Sequence, residues 1–408
     1  MNDLLNDLSK HTCGCTLGGA ESQDHGPGLE MLPIYRPSIK DEPCCGPPAG
    51  PPSNPFERPG YTLCGFVEGF VHTPAGPVPK IKTRLERSDR LGTLSVRLGY
   101  GRSNYKVAPG LYAVGQPDHD SPVLVTANYK LSFDHLRASL TEVNAWLLIL
   151  DTRGINVWCA AGKGSFGTDE LVQRVKQTQL DRVVRHRRLI LPQLGATGVA
   201  GGRVKKECGF EVVWGPIRAS DLSAFLSSGL KADGAMRRIT FSLTERLVLV
   251  PVEITLLRKY LWRTLAAIAV ISGIGPSIFS FGAAWQRGLL AVEATLTGIF
   301  AGCVLVPALL PWVPGRSFAI KGMLAGGFAG GALAAGLWGT PLLTRWSALA
   351  LVLLTMALSS FLAMNFTGST PFTSPSGVEK EMRRYMPVQA LAALAAALIW
   401  VTSAFIGV

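Results

Sequence analysis

The sequence lacks the paired cysteines from which structural zinc sites and iron–sulfur clusters are usually built. None of its eight cysteines forms a C-x-x-C pair, so neither kind of site is predicted from spacing. A secretory signal is also missing, because the opening MNDLLNDLSKHTCGC carries acidic residues where a basic region belongs and has no long apolar core. We therefore expect the hydrophilic part of the chain in the cytoplasm, where thiols stay reduced.

Charge is scarce and unevenly distributed along the chain. Charged residues make up 17% of the 408 residues, and the formal net charge is +12. Residues 80–250 mix charged and apolar side chains as a soluble domain does, whereas charges nearly vanish after residue 264. The chain is therefore predicted to join a soluble domain to a membrane domain.

Residues 1–60 are too rich in glycine and proline to form a core. Seven prolines lie between Pro43 and Pro59. This composition predicts a flexible tail. The tail also carries four cysteines: Cys13, Cys15, Cys44 and Cys45.

Residues 61–255 alternate between strand-like and helix-like segments, which predicts an α/β domain with a mostly parallel sheet. The strand candidates are apolar, branched runs that suit strands buried on both faces: 122–129, 145–151, 187–193, 210–215 and 246–253. Ligands of such sheets bind beyond the carboxyl ends of the strands. The loops after residues 129, 151, 192 and 215 are therefore the predicted site.

Residues 256–408 contain apolar segments that reach or approach the length of a membrane helix, about 20 residues. Five helices are predicted, near 262–281, 289–312, 318–338, 346–364 and 387–407. With the soluble domain in the cytoplasm, eight basic residues lie at cytoplasmic positions and two, Arg287 and Arg345, at outer positions. This asymmetry satisfies the positive-inside rule and places the C-terminus outside.

The stretch GINVWCAAGKGSFG, residues 154–167, ends in a match to G-x-G-x-x-G. In a dinucleotide-binding protein this motif follows a strand directly. Here the strand candidate ends at Asp151, eleven residues before Gly162, which is too far for such a turn. The match therefore does not predict a nucleotide site.

Cys159 is the stronger signal in the same stretch. Asn156 is expected to cap a helix that begins at Val157 or Trp158. Cys159 then falls in the first turn, where backbone amides and the helix dipole stabilise a thiolate. The small residues that follow it, AAG, are expected to leave the helix surface bare for a broad, flat ligand. A buried cysteine with a purely structural role is the alternative.

Three segments resemble the mercury-methylating corrinoid protein family, HgcA. They are NVWCAAGKGSFGTDEL (156–171), PGLYAVGQPDHDSPVLVTANYKLSFDHLR (109–137) and MNFTGSTPFTSPSGVEKEMRRYMP (364–387). The first resembles the cap-helix signature of that family, and the second is also similar, more distantly, to the large subunit of the corrinoid iron–sulfur protein. The resemblance implies a Rossmann-like α/β corrinoid-binding domain followed by a transmembrane domain of five helices.

The resemblance also implies a cobalamin-type corrinoid, bound base-off with the Cys159 thiolate as the lower ligand of cobalt. The sequence agrees in one respect, since no histidine has an aspartate two positions before it, as the His-ligating motif D-x-H-x-x-G requires. The implied reaction is methyl transfer to Hg(II), forming methylmercury. Because Hg(II) is an electrophile, methyl has to arrive as a carbanion or as a radical, and the cycle then needs an external reductant.

The partners that the resemblance implies are a ferredoxin-like protein with two 4Fe-4S clusters (HgcB-type), a methyl-folate-linked methyl donor and the cytoplasmic membrane, with no nucleic acid. Soft thiolates suit Hg(II), so the tail cysteines are predicted to capture it, the alternative being incidental thiols. The residues expected to contact the corrinoid are those of the cap helix and of the strand-end loops: Asn156, Val157, Trp158, Cys159, Ala160, Ala161, Gly162, Lys163, Thr126, Asn128, Gln193, Gly195 and Gly215.

Two other functions compete with mercury methylation. One is a methyl carrier of an acetyl-CoA-type pathway, which passes a methyl cation to a partner enzyme. The missing cluster motif and the membrane helices disfavour it. The other is a membrane receptor for corrinoid or metal without enzymatic activity. Replacement of Cys159 distinguishes them, because only the first hypothesis requires the thiolate for methylmercury formation.

Overall fold

The computed structural model describes residues 50, 53, 57–60, 64–340, 343–370 and 375–406. Contacts divide the chain into two compact units. The first contains residues up to Thr93 together with Gly101–Arg238, and the second contains Leu94–Tyr100 together with Ile239–Val408. The predicted cysteines of the tail, Cys13, Cys15, Cys44 and Cys45, lie outside the described residues.

The first unit is built on a mixed, seven-stranded sheet with the order β1-β2-β3-β5-β4-β6-β7. The strands are β1 Val67–Thr73, β2 Gly76–Ile81, β3 Gly110–Val114, β4 Val123–Ala127, β5 Ala145–Leu150, β6 Arg188–Leu191 and β7 Glu211–Trp214. The pairs β1–β2 and β3–β5 are antiparallel. The pairs β2–β3, β4–β5, β4–β6 and β6–β7 are parallel, so the predicted mostly parallel α/β sheet is confirmed.

The helices of this unit cover both faces of the sheet and leave two apolar clusters buried against it. They are α1 Arg87–Arg97, whose end reaches into the second unit, α2 Lys130–Ala138, α3 Val157–Gly162, α4 Thr168–Gln177, α5 Leu180–Val183, α6 Gly201–Cys208 and α7 Leu222–Ser227. The central strands β3, β4 and β5 are buried along their whole length. Their near-continuous apolar sequences are what burial on both faces requires.

Strands β1, β2 and β3 were not predicted from the sequence. Residues along β1 alternate between half-buried and exposed, and β2 contains Pro77 and Pro79, which weaken a strand pattern because proline cannot donate to the ladder. The predicted strand 246–253 is wrong. It falls on two helices, α8 Leu243–Leu247 and the start of α9 Val250–Gly273, because a short apolar run does not distinguish a strand from a buried helix.

The start signal for α8 was present in the sequence. The Ser242 side chain accepts a hydrogen bond from the Glu245 amide, and the Glu245 carboxylate accepts one from the Ser242 amide at 2.6 Å. This is a capping box. It fixes the beginning of a helix where an apolar pattern alone suggested a strand.

Helix α2 is held by a buried network of charged side chains. Arg137 is fully buried and donates to Asp134 at 2.8 Å and to Asp89 at 2.7 Å. Lys130 donates to Asp89 at 2.6 Å and to Asp134 at 2.7 Å. Although burial opposes ionisation, hydrogen bonds from Lys130, the Glu86 amide and Arg137 lower the pKa of Asp89 to about 2. Buried charges of this kind are stable only when paired, so the network fixes the helix that follows β4.

The second unit is helical. Beyond α8 and α9 it contains α10 Phe281–Phe300, α11 Val306–Ala308, α12 Phe318–Gly336, α13 Arg345–Asn365 and α14 Pro375–Thr402. A π-helical segment, Ala301–Leu305, joins α10 to α11. A short hairpin of β8 Ile274–Gly275 and β9 Ile278–Phe279 follows α9.

Four helical segments are long and apolar enough to cross a membrane, which indicates a membrane protein: Phe281–Ala308, Phe318–Gly336, Arg345–Asn365 and Gly377–Thr402. The predicted count of five is not confirmed. The first predicted span, 262–281, extends past the end of α9 at Gly273. The last 18 residues of α9, 256–273, contain three cations, Arg258, Lys259 and Arg263. These charges lower the mean hydropathy of the helix.

Helices α12 and α13 pack closely along a stripe of glycines. A Cβ added to Gly322 would lie 2.5 Å from the Ser359 carbonyl oxygen, and one added to Gly326 would lie 2.7 Å from the Thr355 carbonyl oxygen. Both distances are shorter than van der Waals contact allows. The four-residue spacing of Gly322, Gly326 and Gly330 therefore serves helix packing, as small residues do in membrane bundles.

We predict that Gly326→Val destabilises the second unit, because the added side chain must push α13 away. Overpacking of this kind costs about 1–3 kcal/mol. Gly331→Val is the matched control: it lies on the same helix, and an added Cβ there meets no atom within 4 Å. Thermal unfolding of both variants in detergent measures the difference. Equal midpoints for the two variants would contradict the packing assignment.

Candidate functional site

The loop that follows β5 is organised by one buried side chain. Asn128, just beyond the end of β4, is fully buried. Its Oδ1 accepts hydrogen bonds from the Thr152 amide at 3.1 Å and the Gly154 amide at 3.0 Å. Its Nδ2 donates to Asp151 Oδ1 at 2.9 Å. The end of β4 therefore fixes the course of the loop that leaves β5.

This loop makes a tight turn immediately before α3. Arg153 and Gly154 have φ angles of 56° and 74°. The left-handed region is easy for glycine but unfavourable for arginine. The half-buried Glu170 carboxylate accepts the Asp151 amide at 2.8 Å and assists Asn128 in holding the turn. Non-glycine residues in such conformations persist where surrounding contacts over-determine them.

Helix α3 begins where the sequence predicted. Asn156 is its N-cap, and Asn156 Oδ1 accepts the Cys159 amide at 2.9 Å. Cys159 lies in the first turn and is half-buried. Its own amide is already used by the cap, so that amide is not available to stabilise the sulfur. What the cap does provide is a fixed position for the Cys159 side chain at the start of the helix.

The expectation that small residues leave the surface of α3 bare is wrong for Ala160 and Ala161. Their exposed fractions are 0% and 5%, and both belong to the core of the sheet. The loop after β6 packs directly on them: a Cβ added to Gly198 would lie 3.0 Å from the Ala161 Cα. Alanine is required at these two positions because the backbone of the loop after β6 approaches them closely. Of the three small residues 160–162, only Gly162 is exposed.

A cavity of about 360 Å³ lies beside α3. Its walls come from the carboxyl ends of the strands and the loops beyond them, and its lining residues include Thr126, Asn156, Val157, Trp158, Gly215 and Pro216. The chain passes from β5, on one side of β4, to β6 on the other. This change of direction is the topological switch point at which open α/β sheets bind ligands.

Most of the cavity lining is apolar, from side chains such as Leu124, Leu136, Ile190 and Leu222. Three polar residues that the sequence did not indicate, Ser132, His135 and Arg218, also line it. Two of them, Ser132 and His135, could have been found, because their three-residue spacing on α2 puts both on one helix face. An apolar cavity with a few polar groups is the usual form of a small-molecule site.

The remaining predicted residues lie around this cavity rather than in it. Lys163 ends α3, and its amide donates to the Cys159 carbonyl oxygen at 3.1 Å. The side chain of Gln193 is hydrogen bonded to Arg237. Gly195 is buried against Phe166. Asn128 is enclosed in the loop network. The cofactor contacts predicted for these residues stay predictions.

The structure confirms that GxGxxG does not follow a strand. Strand β5 ends at Leu150, Gly162 is the last residue of α3, and Gly164 and Gly167 lie between α3 and α4. Gly164 has a φ angle of 80°, so the motif forms the turn between two helices. Among the described residues, no three His, Cys, Asp or Glu side chains gather as a metal site.

Residues 94–226 match the family model of the CO dehydrogenase/acetyl-CoA synthase delta subunit. The match covers β3 to β7 and the whole of the cavity. The chain is 34% identical over 127 residues to the gamma subunit of the acetyl-CoA decarbonylase/synthase complex of Methanopyrus kandleri, covering 31% of this chain and 27% of that protein. It is 31% identical over 127 residues to the same subunit of Archaeoglobus fulgidus, with the same coverage.

The corrinoid/iron–sulfur protein large subunit of Moorella thermoacetica is 32% identical over 127 residues, covering 31% of this chain and 28% of that protein. The chain therefore matches little more than a quarter of the length of these relatives. Strands β3 to β7 and the switch-point cavity, which lie within residues 94–226, form a region similar to the corrinoid/iron–sulfur protein large subunit. The family match ends at residue 226, before the helical unit begins.

We predict that Asn128→Ala loosens the turn before α3, because the buried amides of Thr152 and Gly154 lose their acceptor. Each unsatisfied buried amide costs about 1–3 kcal/mol. Hydrogen exchange of the peptide 151–162 should accelerate by at least about tenfold. Asn104→Ala, at an exposed position, is the control and should leave that peptide unchanged. Unaltered protection in Asn128→Ala would show that the turn holds without the amide.

Proposed function

We propose that the protein is a membrane-anchored, corrinoid-dependent methyltransferase that transfers methyl to Hg(II) and forms methylmercury. The observation that carries the proposal is the position of Cys159. It sits in the first turn of a capped helix, beside an apolar switch-point cavity. The domain that holds it is similar to the large subunit of a corrinoid/iron–sulfur protein.

The residues around Cys159 fit a corrinoid. The thiol is a soft donor suited to a transition metal, and it is half-buried rather than enclosed in the core. The exposed Gly162 leaves room beside it, since an added Cβ would meet nothing within 4 Å. The adjacent cavity, about 360 Å³, takes part of a large cofactor rather than the whole. When bound, the corrinoid supplies a cobalt centre that carries the methyl group.

Within this proposal the protein has three tasks. Cys159 provides the thiolate lower ligand, and Asn156 fixes its place through the helix cap. Asn128 holds the turn from which that helix starts. The apolar cavity wall, with Leu124 and Leu222 among its residues, would exclude water from the site.

An external reductant completes the proposal, because methyl that is delivered to Hg(II) as a carbanion or a radical would take bonding electrons with it, and the site would need these electrons back before the next methylation. We propose the ferredoxin-like, two-cluster partner of the HgcB type for this role, and a methyl-folate-linked compound as the methyl donor.

The same proposal includes an orientation in the membrane. We propose that α9 is the fifth span and that the first unit is cytoplasmic. With only four spans, the cations near Arg316 and Lys380 would lie outside when Arg287 is inside, against the positive-inside rule. With α9 as a further crossing, they return to the cytoplasmic side. Arg258 and Lys259 then lie in the cytoplasmic half of α9 and Arg263 lies near its middle, and their long side chains extend toward the cytoplasmic interface.

We predict that Cys159→Ala abolishes methylmercury formation and changes the visible spectrum of the protein reconstituted with cobalamin. Cys208→Ala is the matched control, because Cys208 is also half-buried and lies at the end of α6, where its thiol donates to the Val204 carbonyl oxygen. It should retain both activity and spectrum. Unchanged methylation by Cys159→Ala would overturn the proposal, and hydrogen exchange establishes that the variant is folded.

A second function is favoured by the comparisons, whose matches are subunits of acetyl-CoA decarbonylase/synthase complexes. In it the protein carries methyl and passes it as a cation to a partner enzyme. The two functions differ in the acceptor. Isotope-labelled methyl chased with Hg(II) appears as methylmercury in the first, and in the second it leaves only when a partner enzyme is added.

The proposal also assigns to the tail cysteines the capture of Hg(II). Cys44 and Cys45 are outside the described residues, but only four residues separate Cys45 from Gly50. The Gly50 amide donates to the Arg153 carbonyl oxygen at 3.0 Å, and the Ser53 amide donates to Asp151 Oδ2 at 2.9 Å. The chain that follows the cysteine pair is therefore attached to the loop that precedes Cys159.

We predict that replacing the four tail cysteines, Cys13, Cys15, Cys44 and Cys45, by alanine slows methylation at low Hg(II) and leaves it unchanged at saturating Hg(II). Capture raises the local concentration of metal, so its loss matters only when metal is scarce. Methylation rates across a range of Hg(II) concentrations measure this. The Cys64→Ala variant, at an exposed position, serves as the control, and equal rates at low Hg(II) would exclude capture by the tail.

A further inference from the structure

A second, larger concavity of about 570 Å³ lies in the first unit, away from the residues of α3. Its walls are the β1–β2 turn, the loop after β3 and the segment that leads into β6, with Trp146 among its lining residues. None of its lining residues is shared with the cavity beside Cys159. We call this concavity the arginine groove. The proposed methyl transfer assigns it no role.

Three arginines of one short segment line the arginine groove: Arg182, Arg185 and Arg187. All three are exposed. Arg182 donates to the neutral Gln179 side chain at 2.9 Å. Within the described ranges, no carboxylate oxygen lies closer than 3.9 Å to any of the three guanidinium groups, the nearest being that of Asp120 opposite Arg185.

Two aspartates, Asp118 and Asp181, line the arginine groove. Asp118 Oδ1 accepts the Ser121 hydroxyl at 2.7 Å and the Asp120 amide at 3.0 Å. These hydrogen bonds lower the pKa of Asp118. Asp120 Oδ2 lies 3.3 Å from His119 Nε2 and is the carboxylate oxygen 3.9 Å from Arg185. Asp118 therefore stabilises the turn after β3, and the arginine charges are largely uncompensated.

We propose that the arginine groove binds a small molecule with a compact, multiply charged oxyanion group, either phosphoryl or carboxylate. Guanidinium groups bind both with paired, charge-assisted hydrogen bonds. The volume falls within the range of small-molecule sites, about 300–1,000 Å³. Apolar lining from Val71, Pro74 and Trp146 suits an uncharged body attached to the anionic group.

The surroundings favour a small anion over an acidic protein. Asp118, Asp120 and Asp181 are exposed beside the arginines. A broad acidic surface would bring its own carboxylates against these three, and like charges in contact oppose binding. A small ligand instead enters between the guanidinium groups and avoids the acidic positions.

The test uses the full-length protein in nanodiscs at low salt, with inorganic pyrophosphate and citrate as separate probes in titration calorimetry. The double variant R182Q/R185Q is expected to bind at least about tenfold more weakly, from the loss of two charge-assisted contacts. Arg187 is left intact because it donates to the Val184 carbonyl oxygen at 2.9 Å and lies over the Phe210 ring. Added salt should weaken binding by screening.

The matched control is K205Q/K206Q, which removes the same charge from exposed positions of α6. It should bind as the unmodified protein does. Binding of pyrophosphate alone identifies a phosphoryl ligand, and binding of citrate alone a carboxylate ligand; either supports the site. Absence of saturable binding for both probes, or an equal loss in K205Q/K206Q, would overturn it.

Discussion

The candidate site depends on the side-chain amide of Asn128. One buried group links the end of β4 to the loop after β5, accepting from two amides of that loop and donating to its aspartate. A turn with a left-handed arginine is not stable by itself, so the anchor is what allows α3 to start at Asn156. Because buried amides must be paired, the same group ties the position of Cys159 to the stability of the domain.

The sheet topology decides where that anchor can act. Strand β4 lies between β5 and β6, so the loops that leave these neighbours separate and open a cavity above its end. Helix α3 fills one side of the opening, where Asn156, Val157 and Trp158 line the cavity and Cys159 follows in the same turn. The comparisons cover this part of the chain and stop before the helical unit. A domain similar to a corrinoid/iron–sulfur large subunit is here covalently joined to helices that can cross a membrane.

Several features were predicted correctly because their causes are local. The cap by Asn156 follows from one side chain and the three amides after it, and the strands β4 to β7 follow from continuous apolar runs. Other features depend on distant neighbours. From the sequence, Ala160 and Ala161 are consistent with an open helix surface. In the fold, the loop that contains Gly198 packs against them. The strand prediction for 246–253 failed for a different reason, because the capping box of Ser242 and Glu245 is itself a local signal that a helix begins there.

The sequence by itself determined the α/β character of the first unit, the apolar character of the second and the cysteine that starts α3. These properties reside in periodicity, composition and capping, which act over a few residues. Only the tertiary structure showed that Asn128 is enclosed in a loop network rather than lining the cavity. It also decided that three arginines gather at a groove and that α9 carries charges within a long helix. These features depend on which segments pack against each other in the fold, and distance along the sequence does not determine that packing.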